Sequence, residues 1–350
     1  MTTALHYFRW AFIVTGAGLL LALWLGWTYT HTLSGALGFL FVGAILSVLE
    51  ISLSFDNAIV NANKLQEMTP VWQRRFLTWG ILIAVFGMRI VFPLLIVVFA
   101  AKIGPWQALS LAATQPEEYS RIIGGAHLSI AAFGGAFLMM VALKYFFDEG
   151  KDVHWIASIE RAMARFSSVQ GLELAVVLVI ILVFATIIPE AAVATFLYSA
   201  VAGLVTFLVV DVIGHVLDRA NEAADVAVKG GLGAFLYLEV LDASFSFDGV
   251  IGAFALTQNL FLIAIGLGIG AMYVRSMTIM LVERQTLTQF RYLEHGAFWS
   301  IFVLACVMFG QTLVHIPEVV TGLLGAGFIG VALWSSIRWN RLNGGDLTAE

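Results

Sequence analysis

Charge is scarce in this chain of 350 residues. Asp, Glu, Lys and Arg together make up 12% of it, against about 25% in an ordinary globular domain. Cysteine is nearly absent. Cys306 stands alone, so no internal disulfide can form, and the residue reads as a small apolar group buried within a helix. Basic tracts are missing and the net charge is −5, which argues against nucleic acid as a partner. A nucleophile–base pair and a His-rich metal motif are missing too, so the chain is not read as an enzyme and an intramembrane hydrolase has no foundation. Apolar surface takes the place of charge: 60% of residues are hydrophobic and the mean hydropathy is +0.93.

The apolar residues fall in runs at 10–28, 34–61, 76–101, 124–147, 170–188, 190–211, 230–255, 259–281, 295–315 and 318–337. A helix needs ~20 such residues to cross a bilayer, and runs this uniform exclude barrel strands. The expected fold is all-α, a polytopic bundle of about ten spans surrounded by lipid. The first run is long for the apolar core of a signal peptide and reads as a retained helix. Trp10, Trp27, Trp72, Trp106, Trp155 and Trp339 fall near run ends, where amphipathic rings favour the headgroup zone. Of the 18 Lys and Arg, Arg89 and Arg275 lie inside runs, only Lys102 and Arg121 fall on one side of the alternation, and the rest share the other. This bias places both termini in the cytoplasm.

Within the apolar runs an acidic heptapeptide occurs twice. One copy reads Glu50-Ile51-Ser52-Leu53-Ser54-Phe55-Asp56, followed by Asn57; the other reads Asp242-Ala243-Ser244-Phe245-Ser246-Phe247-Asp248, followed by Gly249. A carboxylate at the centre of a membrane costs several kcal/mol, from about 2.5 upward, so four in two matching places point to a buried polar site. The predicted orientation makes the two motif helices antiparallel. The likeness continues into the next helix, where Gly80 and Gly266 each stand nine residues before an in-span arginine, Arg89 or Arg275. The chain is thus expected to be one transmembrane domain over 1–350. Inverted-topology three-helix repeats occupy 34–147 and 230–315, a linking segment with two additional spans covers 148–229, and 316–350 holds the last span and a cytoplasmic tail. Secondary transporters recurrently use this plan, with the substrate at the repeat interface near the midplane.

Helical spacing puts Glu50, Ser54 and Asn57 on one stripe, and Glu239, Asp242 and Ser246 on another. Asp56 lies about 120° around the helix from Glu50, as Asp248 does from Asp242. Either the final Asp faces a different neighbour, or the helix unwinds near the serines; Gly249 and Gly252 make a break plausible in the second copy. Four ionised motif acids and two arginines leave a charge of −2, which one divalent ion would balance. Carboxylate, amide and hydroxyl oxygens suit Mg, Ca or Mn, whereas thiolate and imidazole, absent from both motifs, suit Zn or Cu. The expected metal ligands are Glu50, Asp56, Asn57, Asp242 and Asp248, supported by Ser54, Ser246, Glu239, Arg89 and Arg275, with each arginine touching a motif carboxylate. No prosthetic group is expected.

Glu50-x-x-x-Ser54-x-Asp56-Asn57 resembles the signature of the TerC family of integral membrane proteins. With Asp242-x-x-x-Ser246-x-Asp248-Gly249, the chain from about 34 to 337 is similar to the branch long catalogued as a domain of unknown function within that group. TerC relatives belong to a wider superfamily that includes lysine exporters and several manganese or calcium exporters. The resemblance implies export of a divalent metal, most often Mn²⁺, across a bacterial plasma (inner) membrane. The second copy departs from the signature, with Asp242 for Glu and Gly249 for Asn, which makes a divalent cation a firmer expectation than manganese. Protons are a further expected partner, since a carboxylate can exchange a metal for a proton. The rival expectations are a non-transporting membrane assembly or stress-resistance factor and an exporter of a cationic amino acid.

Overall fold

A computed structural model describes residues 2–66, 68–80, 82–148, 153–166, 169, 171–223, 231–314 and 316–343. Among them every regular element is a helix. In chain order they are α1 (Thr2–Thr30), α2 (Leu33–Leu53), α3 (Phe55–Gln66) and α4 (Pro70–Arg75), then two π-helical segments, π1 (Phe76–Gly80) and π2 (Ile83–Val91). There follow α5 (Phe92–Ala101), α6 (Pro105–Thr114), α7 (Pro116–Gly125), α8 (His127–Phe146), α9 (Ala157–Ala164), α10 (Leu172–Ile187) and α11 (Glu190–Ala223). The chain closes with α12 (Leu232–Leu256), α13 (Leu260–Glu283), α14 (Thr286–Gln289), α15 (Leu293–Gln311) and α16 (Glu318–Asn343).

Among the described residues, each of the ten apolar runs falls on a helix or a run of helices. Eight of these among the described residues are long and apolar enough to cross a membrane. The other two are α10, with 16 residues, and α12, whose sequence carries Glu239, Asp242 and Asp248. Several ends depart from expectation. At 34 residues, α11 is about 51 Å long and outruns a hydrocarbon core of about 30 Å. The stretch between α5 and α8, expected as a loop, holds α6 and α7. Each opens on a proline at its first helical position, where a fixed φ helps and no N–H is missed. Cys306 is a correction: it is exposed on the outer face of α15, where an apolar thiol can face lipid without a partner.

The bundle is built around α8, which packs on α11 and α15, and around α13, which packs on α1, α2, α3 and π2. The core unites α3, α8, α12 and α15 through Ile59, Leu65, Phe137, Met139, Leu238, Leu241 and Phe309. Outer faces stay apolar, with Leu20, Trp24, Leu182, Tyr198 and Leu323 exposed, as a surface bathed in lipid requires. Two glycines set the distance between α2 and α13. A Cβ on Gly266 would stand 3.1 Å from Gly43 O, and one on Gly270 would overlap Glu50 Cβ and Cγ. The backbones therefore touch beside the first motif copy.

Candidate functional site

The first motif copy sits at a break in its helix. Regular α2 ends at Leu53 and α3 starts at Phe55, with Ser54 between them at φ −104° and ψ 17°. The break is one residue long: Ser54 N–H still donates to Glu50 O at 3.0 Å, and Ala58 N–H to Ser54 O at 3.3 Å. The second copy, where the glycines made a break plausible, lies inside the continuous helix α12. Glu50, Ser54, Asn57 and Asn61, three or four residues apart, line one cavity. All four are buried.

Arg89 completes this face from the neighbouring element. Pro93 cannot donate a hydrogen bond to Arg89 O, and in an ordinary α-helix its ring would press on that carbonyl. The chain before it widens instead into π2, where Phe92 N–H reaches back to Gly87 O. Wide turns of this kind recur at functional sites. The guanidinium donates through Nη2 to Glu50 Oε1 and through Nε to Leu267 O at 3.1 Å. Glu50 Oε1 also accepts from Ser54 Oγ at 3.0 Å.

The second copy meets this assembly through Asp242, whose Oδ1 accepts from Asn61 Nδ2 at 2.9 Å. Glu50, Ser54, Asn57, Asn61, Arg89, Asp242 and Arg275 line one cavity of about 60 Å³. Asn57 Oδ1 and Asn61 Oδ1 are buried there without a hydrogen-bond partner among the described residues. Glu239 lies beside the cavity wall, since a Cβ on Gly80 would stand 2.8 Å from its Oε1. Both its carboxylate oxygens are buried and unpartnered among the described residues.

Asp56 faces elsewhere. It accepts from Ser300 Oγ of α15 at 2.8 Å and from Asn57 N–H at 2.9 Å, and it lines a second cavity of about 30 Å³. Glu50 and Ser54 line both cavities, so the break at Ser54 forms the partition between them. Of the two options open in the sequence, a different neighbour for the final Asp is the one seen in the first copy. For the second copy the side chains of Ser246 and Asp248 lie outside the described residues. Among the described residues Arg275 forms no ion pair, and its Nε donates to Leu77 O at 3.0 Å; the side chain of Asp248, the other carboxylate expected near it, lies outside them. The helix of Arg275 is regular there, so it projects at a different angle from Arg89 on the widened π2. No group of three or more His, Cys, Asp or Glu among the described residues is placed to hold a metal. Any ion here would lean on amide and hydroxyl oxygens as well as carboxylates.

Sequence reasoning passed over three participants. Asn61 continues the stripe one turn beyond Asn57, so its spacing was a usable signal. Ser300 is 244 residues from Asp56, and no pattern ties the two. Glu160 of α9 is 1% exposed. It accepts from Trp299 Nε1 at 3.0 Å and from the backbone N–H groups of Trp155 and Ile156, and its Oε2 lies 2.9 Å from His295 Nδ1. This carboxylate straps the segment before α10 to the start of α15, the helix that carries Ser300. His295 is itself buried within that strap.

The chain belongs to the family described as "Protein of unknown function (DUF475)", whose model matches residues 55–343. The match takes in Asp56, Asn57 and the whole second copy, and it starts just after the Ser54 break. No curated protein and no solved structure matches the chain.

Proposed function

We propose that this chain transports a divalent metal cation, with Mn²⁺ the leading cargo and Ca²⁺ or Mg²⁺ the alternatives, out of the cytoplasm across a bacterial plasma membrane. The observation that carries the reading is the buried oxygen-lined cavity where both motif copies meet. Glu50, Ser54, Asn57 and Asn61 come from one copy's helix and Asp242 from the other, and two amide oxygens in it lack partners among the described residues. Oxygen donors without thiolate or imidazole are the ligands of hard cations. The volume has room for about four waters, which fits a partly hydrated ion better than a cationic amino acid.

The TerC-like plan, with ten spans and inverted repeats at 34–147 and 230–315, is part of this proposal. Reciprocal contacts favour it: Arg89 Nε bonds a carbonyl on α13 and Arg275 Nε bonds a carbonyl on π1. Alternating access then comes from one repeat rocking on the other. Charge gives the cavity its working principle. Glu50, Asp242 and Glu239 outnumber Arg89 and Arg275 by one, so a 2+ ion is balanced only when a guanidinium withdraws. Arg89 stands in for the cargo on Glu50, and metal entry displaces it. Asp248 on the other copy serves the same ion path, whereas Asp56 stands behind the Ser54 partition in the second cavity.

The test is metal flux by the purified chain in liposomes, over Mn²⁺, Ca²⁺, Mg²⁺ and Cu⁺ and with an imposed pH gradient. Mn²⁺ or Ca²⁺ flux is expected, and its loss in Asp242→Asn, which keeps the oxygen that Asn61 bonds and removes the charge. Full flux in that variant sinks the metal site; no flux in the parent turns the reading towards an assembly factor.

A further inference from the structure

The second cavity, behind the Ser54 partition, has its own chemistry. Its polar lining is Asp56, Ser52, Ser54, Ser300, Thr321 and the rear of Glu50, with Gly322, Gly325 and Ala326 of α16 leaving the space open. Glu50 is already balanced by Arg89. Asp56 is 5% exposed, and the hydrogen bonds it accepts come from neutral groups, the Ser300 hydroxyl and the Asn57 N–H. No basic side chain among the described residues pairs with it. A buried carboxylate without a counter-charge is costly. A second, independent feature points the same way: Thr321 Oγ1 is buried and unpartnered on the wall of this cavity, on a residue 8% exposed. The last turn of α2 ends at the break beside it, and the carbonyls of a helix end carry partial negative charge.

We propose that this cavity is a separate binding site for a small monovalent cation, with Na⁺ the expected ion, held by Asp56, Ser300 and Thr321. One unbalanced carboxylate calls for one positive charge. A divalent ion would overshoot it, while neutral hydroxyls complete an all-oxygen shell. The space of about 30 Å³ holds about two water-sized positions, enough for a cation with one water. The placement gives the site a role: Ser54 and Glu50 border both cavities, so an ion behind the break sets the position of the carboxylate that Arg89 and the cargo share. That role rests on the transport reading; the binding itself does not.

The experiment is thermal unfolding of the purified full chain in detergent, followed by tryptophan fluorescence. NaCl is titrated against choline chloride at constant ionic strength, and Mn²⁺ binding is measured separately by electron paramagnetic resonance in choline. The expected result is a saturable rise in unfolding temperature with Na⁺, weaker with K⁺. Thr321→Val keeps the shape and removes the free hydroxyl, and it should raise the half-saturating Na⁺ concentration by about tenfold, the effect of ~1.4 kcal/mol. Gly325→Ala is the second probe, because its Cβ would stand 2.8 Å from Ser300 Oγ and 3.7 Å from Asp56 Oδ2; a similar weakening is expected. Asp242→Asn should leave the Na⁺ response unchanged, and Thr321→Val should leave Mn²⁺ binding unchanged. A parent without a saturable Na⁺ response overturns the proposal, as does an unchanged half-saturation in both Thr321→Val and Gly325→Ala. Competition of Mn²⁺ for the Na⁺ response also overturns it, since the cargo would then own this cavity. A Na⁺ response without Mn²⁺ binding removes the transport reading and leaves the cation site standing.

Discussion

Replacing Arg89 is the most direct probe of how the site is held. Arg89 and Glu50 are 4% and 2% exposed, so each charge stays largely desolvated if its partner is lost. Arg89→Met keeps an unbranched chain of similar reach and removes the guanidinium. Glu50 Oε1 is then left with the Ser54 hydroxyl as its remaining donor, and breaking a buried pair from one side costs about 3–5 kcal/mol. The bond to Leu267 O is lost as well. Interhelical hydrogen bonds in membranes average only ~0.6 kcal/mol, so the orphaned carboxylate dominates. Glu50→Gln removes the negative charge beside the buried guanidinium, which keeps its bond to Leu267 O, and should cost a similar amount.

The double variant separates the charge effect from simple loss of packing. With both charges gone neither is left without the other, and replacing a buried ion pair by neutral groups is often close to neutral. We expect the double variant within about 2 kcal/mol of the parent and more stable than Arg89→Met alone. The coupling energy, the two single costs less that of the double, should be at least about 4 kcal/mol, beyond the ~0.5–3 kcal/mol usual for residues in contact. Unfolding in mixed micelles of denaturing and mild detergent measures all four proteins. Additivity within about 0.5 kcal/mol, or an Arg89→Met protein as stable as the parent, refutes the argument that this pair holds the site together.

Gly270→Ala should destabilise by about 1–3 kcal/mol through overpacking, because the new methyl overlaps Glu50 Cβ and Cγ. Gly268→Ala on the same helix, where a Cβ meets only Val85 Cγ1 at 3.4 Å, should be near neutral in the same assay, and equal effects would show that α2 and α13 are not in backbone contact. For orientation, in a Cys306→Ser background, Gln115→Cys should react with an impermeant thiol reagent from outside the cell and Leu342→Cys only after permeabilisation; the reverse pattern would invert the bundle.

Much of the fold was legible because lipid leaves the sequence few choices. A spanning segment must be helical and apolar over a fixed length, so the runs marked the helices. Their ends were less legible, since an end that leaves the bilayer is no longer bound by that rule. α11 continues through polar residues to Ala223, and α6 and α7 are short helices whose proline starts carry no signal of membrane insertion.

The site was legible where cost betrayed it. Glu50, Asp56 and Asp242 stood out as carboxylates in hydrocarbon, and Glu50 of one copy and Asp242 of the other line one cavity. Symmetry in sequence was a poorer guide to contacts. Gly80–Arg89 and Gly266–Arg275 share a spacing, yet Pro93 follows the first arginine at four residues and no proline follows the second there. That one ring changes the winding of the helix before it, and with it the direction in which the arginine points. The same holds for the motif itself: identical serines sit at a break in one copy and inside an unbroken helix in the other. The difference therefore comes from what packs around each serine. Tertiary neighbours of this kind, such as Ser300 from α15 on Asp56, leave no mark in local spacing.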